Sequence, residues 1–101
     1  MEPFDLYLDI DVRVHVERDG RPLEEYAVML QVENAGEWTT IRLYDNAHGT
    51  HEMHRYTGGE KQAAELFHHG EPREACPAAI LELKEHWQGI VEGHEREEEA
   101  P

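Results

Sequence analysis

Three histidines, His48, His51 and His54, recur at three-residue steps inside Tyr44–Tyr56, which reads YDNAHGTHEMHRY. Asp45, Asn46, Arg55 and the two flanking tyrosines crowd around them, and His68 and His69 follow a dozen residues later. Five of the eight histidines therefore fall between positions 48 and 69. Imidazole takes and gives protons near neutral pH and is the commonest metal ligand, so a cluster this dense points to chemistry.

Three chemistries suit these residue types. The first is acid–base cleavage of RNA, with one histidine as general base on the 2′-OH and another as general acid on the leaving oxygen. His51 with His54, or His48 with His54, supply such a pair. Arg55 then stabilises the charged phosphorane, Asp45 supports the histidines, Tyr44 or Tyr56 stacks a base, and Asn46 contacts the substrate. That scheme needs no cofactor. The second is a metal site for zinc, nickel or another divalent transition ion, built from His48, His51 and His54, or from two of them with His68, His69 or Asp45. The H-x-x-H-x-x-H spacing matches neither the i, i+4 pair of H-E-x-x-H enzymes nor a zinc finger. The third is structural, with histidine, aspartate and asparagine bracing a turn through backbone hydrogen bonds.

The surrounding pattern predicts the elements that position these residues. Leu6, Leu8, Ile10, Val12, Val14 and Val16 alternate strictly with polar residues, which predicts one half-buried strand over Leu6–Val16. Asp19-Gly20 signals a hairpin. Glu24–Glu33 reads as a second strand, apolar on one face and partly apolar on the other, and Glu37–Tyr44 as a third after Asn34-Ala35-Gly36. Asp45–Gly49 is a sharp turn, and Thr50–Thr57 a fourth strand. Strict alternation there puts His51, Met53 and Arg55 on one face and Glu52, His54 and Tyr56 on the other. Two histidines three apart then share a pocket only across a bulge; otherwise His48 converges with His54 while His51 points elsewhere.

Glu60–Phe67 is ambiguous, a short helical turn or an irregular segment. Cys76, Ala79, Ile80, Leu83, Trp87, Ile90 and Val91 then form an apolar stripe at helical spacing. Pro77 limits the start of a regular helix to between Arg73 and Pro77, or leaves a kinked first turn from Pro72. Gly93 suits a C-cap, and the acid-rich Glu95–Pro101 reads as a disordered tail. The expectation is an α+β domain over residues 1–94. An antiparallel meander of about four strands packs on one C-terminal amphipathic helix anchored by Ile80 and Trp87, with residues 95–101 as an acidic tail. Cys76, Met29 and Met53 read as packing residues; His15, His86 and His94 read as surface.

Composition narrows the partners. The formal net charge is −14, with nine lysines and arginines against twenty-three acids. Such a field repels nucleic acid unless the basic residues gather on one face. It also suits a basic protein surface as partner. A single cysteine excludes an intramolecular disulfide and any multi-cysteine zinc site, and fits a reducing cytoplasm. No apolar run is long enough for a membrane span, and the N-terminus lacks the pattern of a secretion signal.

The run Leu43-Tyr44-Asp45-Asn46-Ala47-His48, followed by His51, His54, Arg55 and Tyr56, resembles the TumE-like toxin family of prokaryotic toxin–antitoxin pairs and related small bacterial and phage proteins. The likeness covers roughly Trp38 to Val91. It implies a small sheet followed by a C-terminal helix, a toxin role with a cognate antitoxin as partner, and a site that includes Asp45, Asn46, His48, His51 and His54. Gly49 after the first histidine and the acidity of the chain depart from that pattern. The acidity favours an alternative, an acidic protein-binding inhibitor of phage anti-defence type, such as an anti-CRISPR-like mimic of nucleic acid.

Overall fold

The computed structural model describes residues 2–99 and shows an α+β architecture, an antiparallel sheet covered on one face by a single C-terminal helix. The strands are β1 (Phe4–Asp9), β2 (Val12–Asp19), β3 (Glu25–Asn34), β4 (Glu37–Asp45), β5 (His51–Thr57), β6 (Glu60–Lys61) and β7 (Glu65–His68), followed by α1 (Pro72–Glu99). β1 to β6 follow chain order, and β7 also pairs with β5. No described helix is long and apolar enough to cross a membrane.

The sheet has more strands than the four expected, for two physical reasons. The long alternating run is a hairpin. β1 pairs antiparallel with β2 at Phe4↔Val16 and Leu6↔Val14, and Ile10 lies in the turn, 90% exposed. From Phe4 to Tyr7 paired positions sum to an even number, so even-numbered residues of both strands face the same side, and a register shift between Tyr7 and Asp9 adjoins the turn. The alternation therefore runs through the turn without a break. The Asp9 carboxylate accepts the Ile10 N–H at 2.7 Å and tightens that turn. The ambiguous Glu60–Phe67 segment contributes the other two strands, because β5 has a free edge beyond β4. Lys61 and Glu60 pair with Tyr56 and Thr57, and Glu65, Leu66 and His68 pair with Met53, Glu52 and His51.

The core lies between the sheet and α1. Val14, Val16, Val28, Leu30, Tyr44 and Met53 meet Ala75, Cys76, Ala79 and Leu83 there. Cys76 is 2% exposed and Leu83 fully buried, whereas Ile80 and Trp87 pack only partly buried at the core's edge, so the small residues and Leu83 anchor the helix. Small side chains let the helix axis approach the sheet closely. A one-residue slip between Leu30 and Gln31 leaves Ile41 unpaired in β4 and turns it into the core, 3% exposed.

α1 starts earlier and ends later than its pattern suggests. Pro72 occupies its first position, where a missing N–H costs nothing. The Glu71 N–H donates to Glu74 Oε1 at 3.2 Å, the reciprocal half of a capping box. Pro77 sits inside the helix and leaves the carbonyl one turn back without its usual donor. Gly93 does not end the helix, and the expected disordered tail is helical over residues 95–99; Ala100 and Pro101 lie outside the described residues. Glutamate and arginine are good helix formers. The end of α1 is also held to the β5–β6 turn, where the Gly58 N–H donates to Glu98 Oε1 at 2.7 Å and the Thr57 hydroxyl to Glu97 Oε2 at 3.4 Å.

Candidate functional site

β5 distributes the histidines between two faces, as strict alternation requires. His51 lies beneath the helix and is 8% exposed. Its Nε2 faces the Gly70 carbonyl at 2.9 Å, and a carbonyl only accepts, so Nε2 carries the proton. Nδ1 then accepts from the Tyr26 hydroxyl at 2.9 Å, with the two rings stacked at 5.7 Å. Burial pushes the Tyr26 phenol far up, reinforced by Cys76 and Asp45, which keeps it a neutral donor. His51 thus ties the loop before α1 to β3 and has no free nitrogen. His68 stands edge-on to it at 5.9 Å on β7.

The uncovered face carries the second group. The register aligns Glu17, Ala27, Asp45 and Glu52 in one row across β2, β3, β4 and β5. Leu43 and His54 are paired in the row beside it. Asp45 and Glu52 are direct cross-strand neighbours of like charge, an arrangement that destabilises a sheet unless a positive group lies between them. His54, 6% exposed, donates from Nδ1 to the Gln62 carbonyl at 2.9 Å, which leaves Nε2 as an acceptor. That Nε2 is 3.7 Å from Glu52 Oε1, and His48 Nδ1 is 3.6 Å from the same oxygen. His48 stands on the turn before β5 with its side chain 74% exposed. His48 and His54 therefore converge on Glu52, while His51 points away.

Glu52 is the residue that motif reading passed over. Its signal was present in the E-x-H spacing, which places Glu52 and His54 on one strand face. Burial alone would raise its pKa, but the Thr50 hydroxyl, which donates to Oε2 at 3.1 Å, and the imidazoles of His48 and His54 outweigh that and hold it below the usual carboxylate range. Asp45 Oδ1, Glu52 Oε1 and His54 Nε2 are each buried without a hydrogen-bond partner. Together these residues offer one ligand atom each, all within 4.8 Å of one another.

The remaining expected site residues lie elsewhere. Tyr44 is fully buried under α1 and donates to Glu82 Oε2 at 2.6 Å, so it presents no face to a base. Burial, aided by Glu82, pushes its phenol up to about 12. Arg55 pairs with Glu65. With Arg42, His94 and Tyr56 it lines a cleft of about 410 Å³ against α1, apart from His54. Asn46 braces the backbone, accepting the Tyr26 N–H at 3.0 Å and donating to the Glu24 carbonyl at 2.8 Å, and so fixes the start of the turn that carries His48. His68 and His69 are not gathered with His48 and His54 in a ligand-spaced group among the described residues. A second cleft, of about 540 Å³, adjoins Asp45 and is lined by Glu17, Asp19 and Glu25 with Arg18.

No curated protein and no solved structure matches the chain. The family described as Domain of unknown function (DUF7718) matches residues 2–100, and the chain belongs to that family.

Proposed function

We propose that the chain is a toxin-like ribonuclease of a toxin–antitoxin pair, with His48, Glu52 and His54 at its active site. The observation that carries this reading is the convergence of two imidazoles on one carboxylate oxygen, His48 Nδ1 at 3.6 Å and His54 Nε2 at 3.7 Å. His48, the exposed member, exchanges the proton with substrate. Glu52, ionised, is the base next to it, and His54 is held by Gln62 as the fixed partner. The resemblance of Leu43–Tyr56 to TumE-like toxins supports the same stretch as the working part. The test is a purified chain incubated with single-stranded RNA and with DNA of the same sequence. RNA alone should be cut, and His48→Ala should slow cutting by about 10²-fold or more. Intact RNA after prolonged incubation with folded wild-type protein would remove the ribonuclease reading.

One observation favours a second reading, an acidic inhibitor of a basic protein. The cleft beside Asp45 gathers Glu17, Asp19 and Glu25 against a single arginine, Arg18. A basic partner docked there should dissociate as salt rises. A panel of nucleic-acid-binding proteins that shows no salt-sensitive binding to the chain would set this reading aside.

A further inference from the structure

The ribonuclease reading leaves one physical problem. Two carboxylates stand in the place where a phosphodiester must approach, and Asp45 Oδ1 and Glu52 Oε1 have no hydrogen-bond donor among the described residues. Asp45 and Glu52 are cross-strand neighbours in a non-helical face of the sheet. His54 cannot screen them as a neutral donor, because its Nδ1 proton is committed to the Gln62 carbonyl. Nε2 stands 3.7 Å from Glu52 Oε1, beyond hydrogen-bond length, so the two atoms are not bonded to each other. Three acceptor atoms thus face one another with no donor among the described residues: Asp45 Oδ1, Glu52 Oε1 and His54 Nε2. Asp45 is 8% and His54 6% exposed, so water reaches neither freely. Buried acceptors left this way cost about 1–3 kcal/mol each, which a bound ion would recover.

We infer that these three atoms are the ligands of a divalent transition-metal ion. Asp45, Glu52 and His54 each offer one ligand atom within 4.8 Å of the other two, and His54 Nε2 is 3.7 Å from Glu52 Oε1. Ligands of one tetrahedral ion with bonds near 2.1 Å stand roughly 3.4 Å apart, so small side-chain rotations close the site. One imidazole with two carboxylates suits zinc or manganese. Its one imidazole departs from the all-oxygen ligand sets of magnesium and calcium, and it lacks the sulfur that copper(I) prefers. The Nδ1–H bond from His54 to the Gln62 carbonyl is the outer contact by which ligating histidines are oriented, and it aims Nε2 at the carboxylates. The Thr50 hydroxyl does the same for Glu52 by occupying Oε2 and leaving Oε1 free. Three protein ligands leave a fourth position open on the side of His48, whose exposed ring stands next to Glu52 without being needed to hold the ion. This ligand set differs from those the spacing suggests, which take at least two of His48, His51 and His54 with a third histidine or Asp45. It shares its residues with the ribonuclease reading but takes Glu52 from its place as base there, leaving the proton transfer to His48.

The test uses the untagged full chain with zinc chloride or manganese chloride as probe. Calorimetric titration and metal content after dialysis should give one ion per chain, and added metal should raise the melting temperature. Asp45→Asn and Glu52→Gln nearly preserve shape, so they should stay folded by circular dichroism while weakening affinity at least about tenfold each. His48→Ala should bind metal within about threefold of wild type, yet lose RNA cleavage. If His54→Ala does not fold, the two carboxamide variants decide alone. No stoichiometric binding by the folded wild type would overturn the inference. So would wild-type affinity in both carboxamide variants, or a loss confined to His69→Ala. Metal binding without RNA cleavage would remove the ribonuclease reading and keep the site, whereas chelator-resistant cleavage by a chain that binds no metal would do the reverse.

Discussion

His51 and His54 sit three residues apart on one strand and serve opposite faces of the sheet. His51 accepts from the Tyr26 hydroxyl at 2.9 Å beneath the helix, and His54 donates to the Gln62 carbonyl at 2.9 Å on the uncovered side. No bulge falls between them on the β4 side, where Leu43↔His54 and Tyr44↔Met53 pair in unbroken register. An odd separation along a regular strand therefore assigns the two histidines to different environments. Each of them is tested by a different measurement.

Replacing His51 by alanine should act on stability. The change strands the Tyr26 hydroxyl and the Gly70 carbonyl, both bonded to the ring. The expected loss is about 1–3 kcal/mol in urea unfolding, with metal uptake at Asp45, Glu52 and His54 retained. Unchanged stability together with lost RNA cleavage would mean that His51 takes part in the chemistry.

The opposite pattern is expected for His48→Ala. This ring is 74% exposed and its contact with Glu52 is long, so unfolding should change by no more than about 0.5 kcal/mol. RNA cleavage should fall by about 10²–10⁴-fold if the ring moves the proton. Cleavage at the wild-type rate would take His48 out of the site.

Two groups should give the stability profile opposite pH dependences. His15 lies between Asp5, 2.7 Å from its Nδ1, and Glu17, 3.0 Å from its Nε2. Burial lowers its pKa, but the two carboxylates outweigh that and raise it above 6.5. A raised folded value means stability that is fully present below about 6.5 and lost as pH rises through the folded value. Glu52 is depressed below 4.5, so its contribution is present above that value and lost as pH falls through the folded one. Urea midpoints across pH 3–9 should therefore lose their alkaline-side slope in His15→Asn and part of their acid-side slope in Glu52→Gln. Curves parallel to wild type would refute both assignments.

Helix docking should depend on Leu83 more than on Trp87. Leu83 is fully buried against the sheet, so Leu83→Ala should cost about 2–5 kcal/mol. Trp87 is only partly buried at the core's edge, and Trp87→Ala should cost less than Leu83→Ala. The ratio of the two urea midpoints decides it; a larger loss at Trp87 would place the anchor one turn later.

Local pattern determined much of this protein. Apolar residues at even positions of Leu6–Val16 and Tyr26–Val32 set one sheet face, the stripe from Cys76 to Val91 set one helix, and alternation along Thr50–Thr57 put His51 and His54 on opposite faces unless a bulge intervened. These features depend on neighbours within a few residues, and backbone geometry reads them directly. Partnership across the sheet was decided only by the tertiary structure. The register that sets Asp45 opposite Glu52 depends on where the β4–β5 turn closes. The Tyr26 hydroxyl that holds His51 comes from 25 residues away. The hairpin at Ile10 was hidden because an even register repeats the same alternation on both sides of the turn. Which histidines hold the fold and which face the carboxylates follows from these long-range pairings, whose energies arise between residues that the chain order keeps apart.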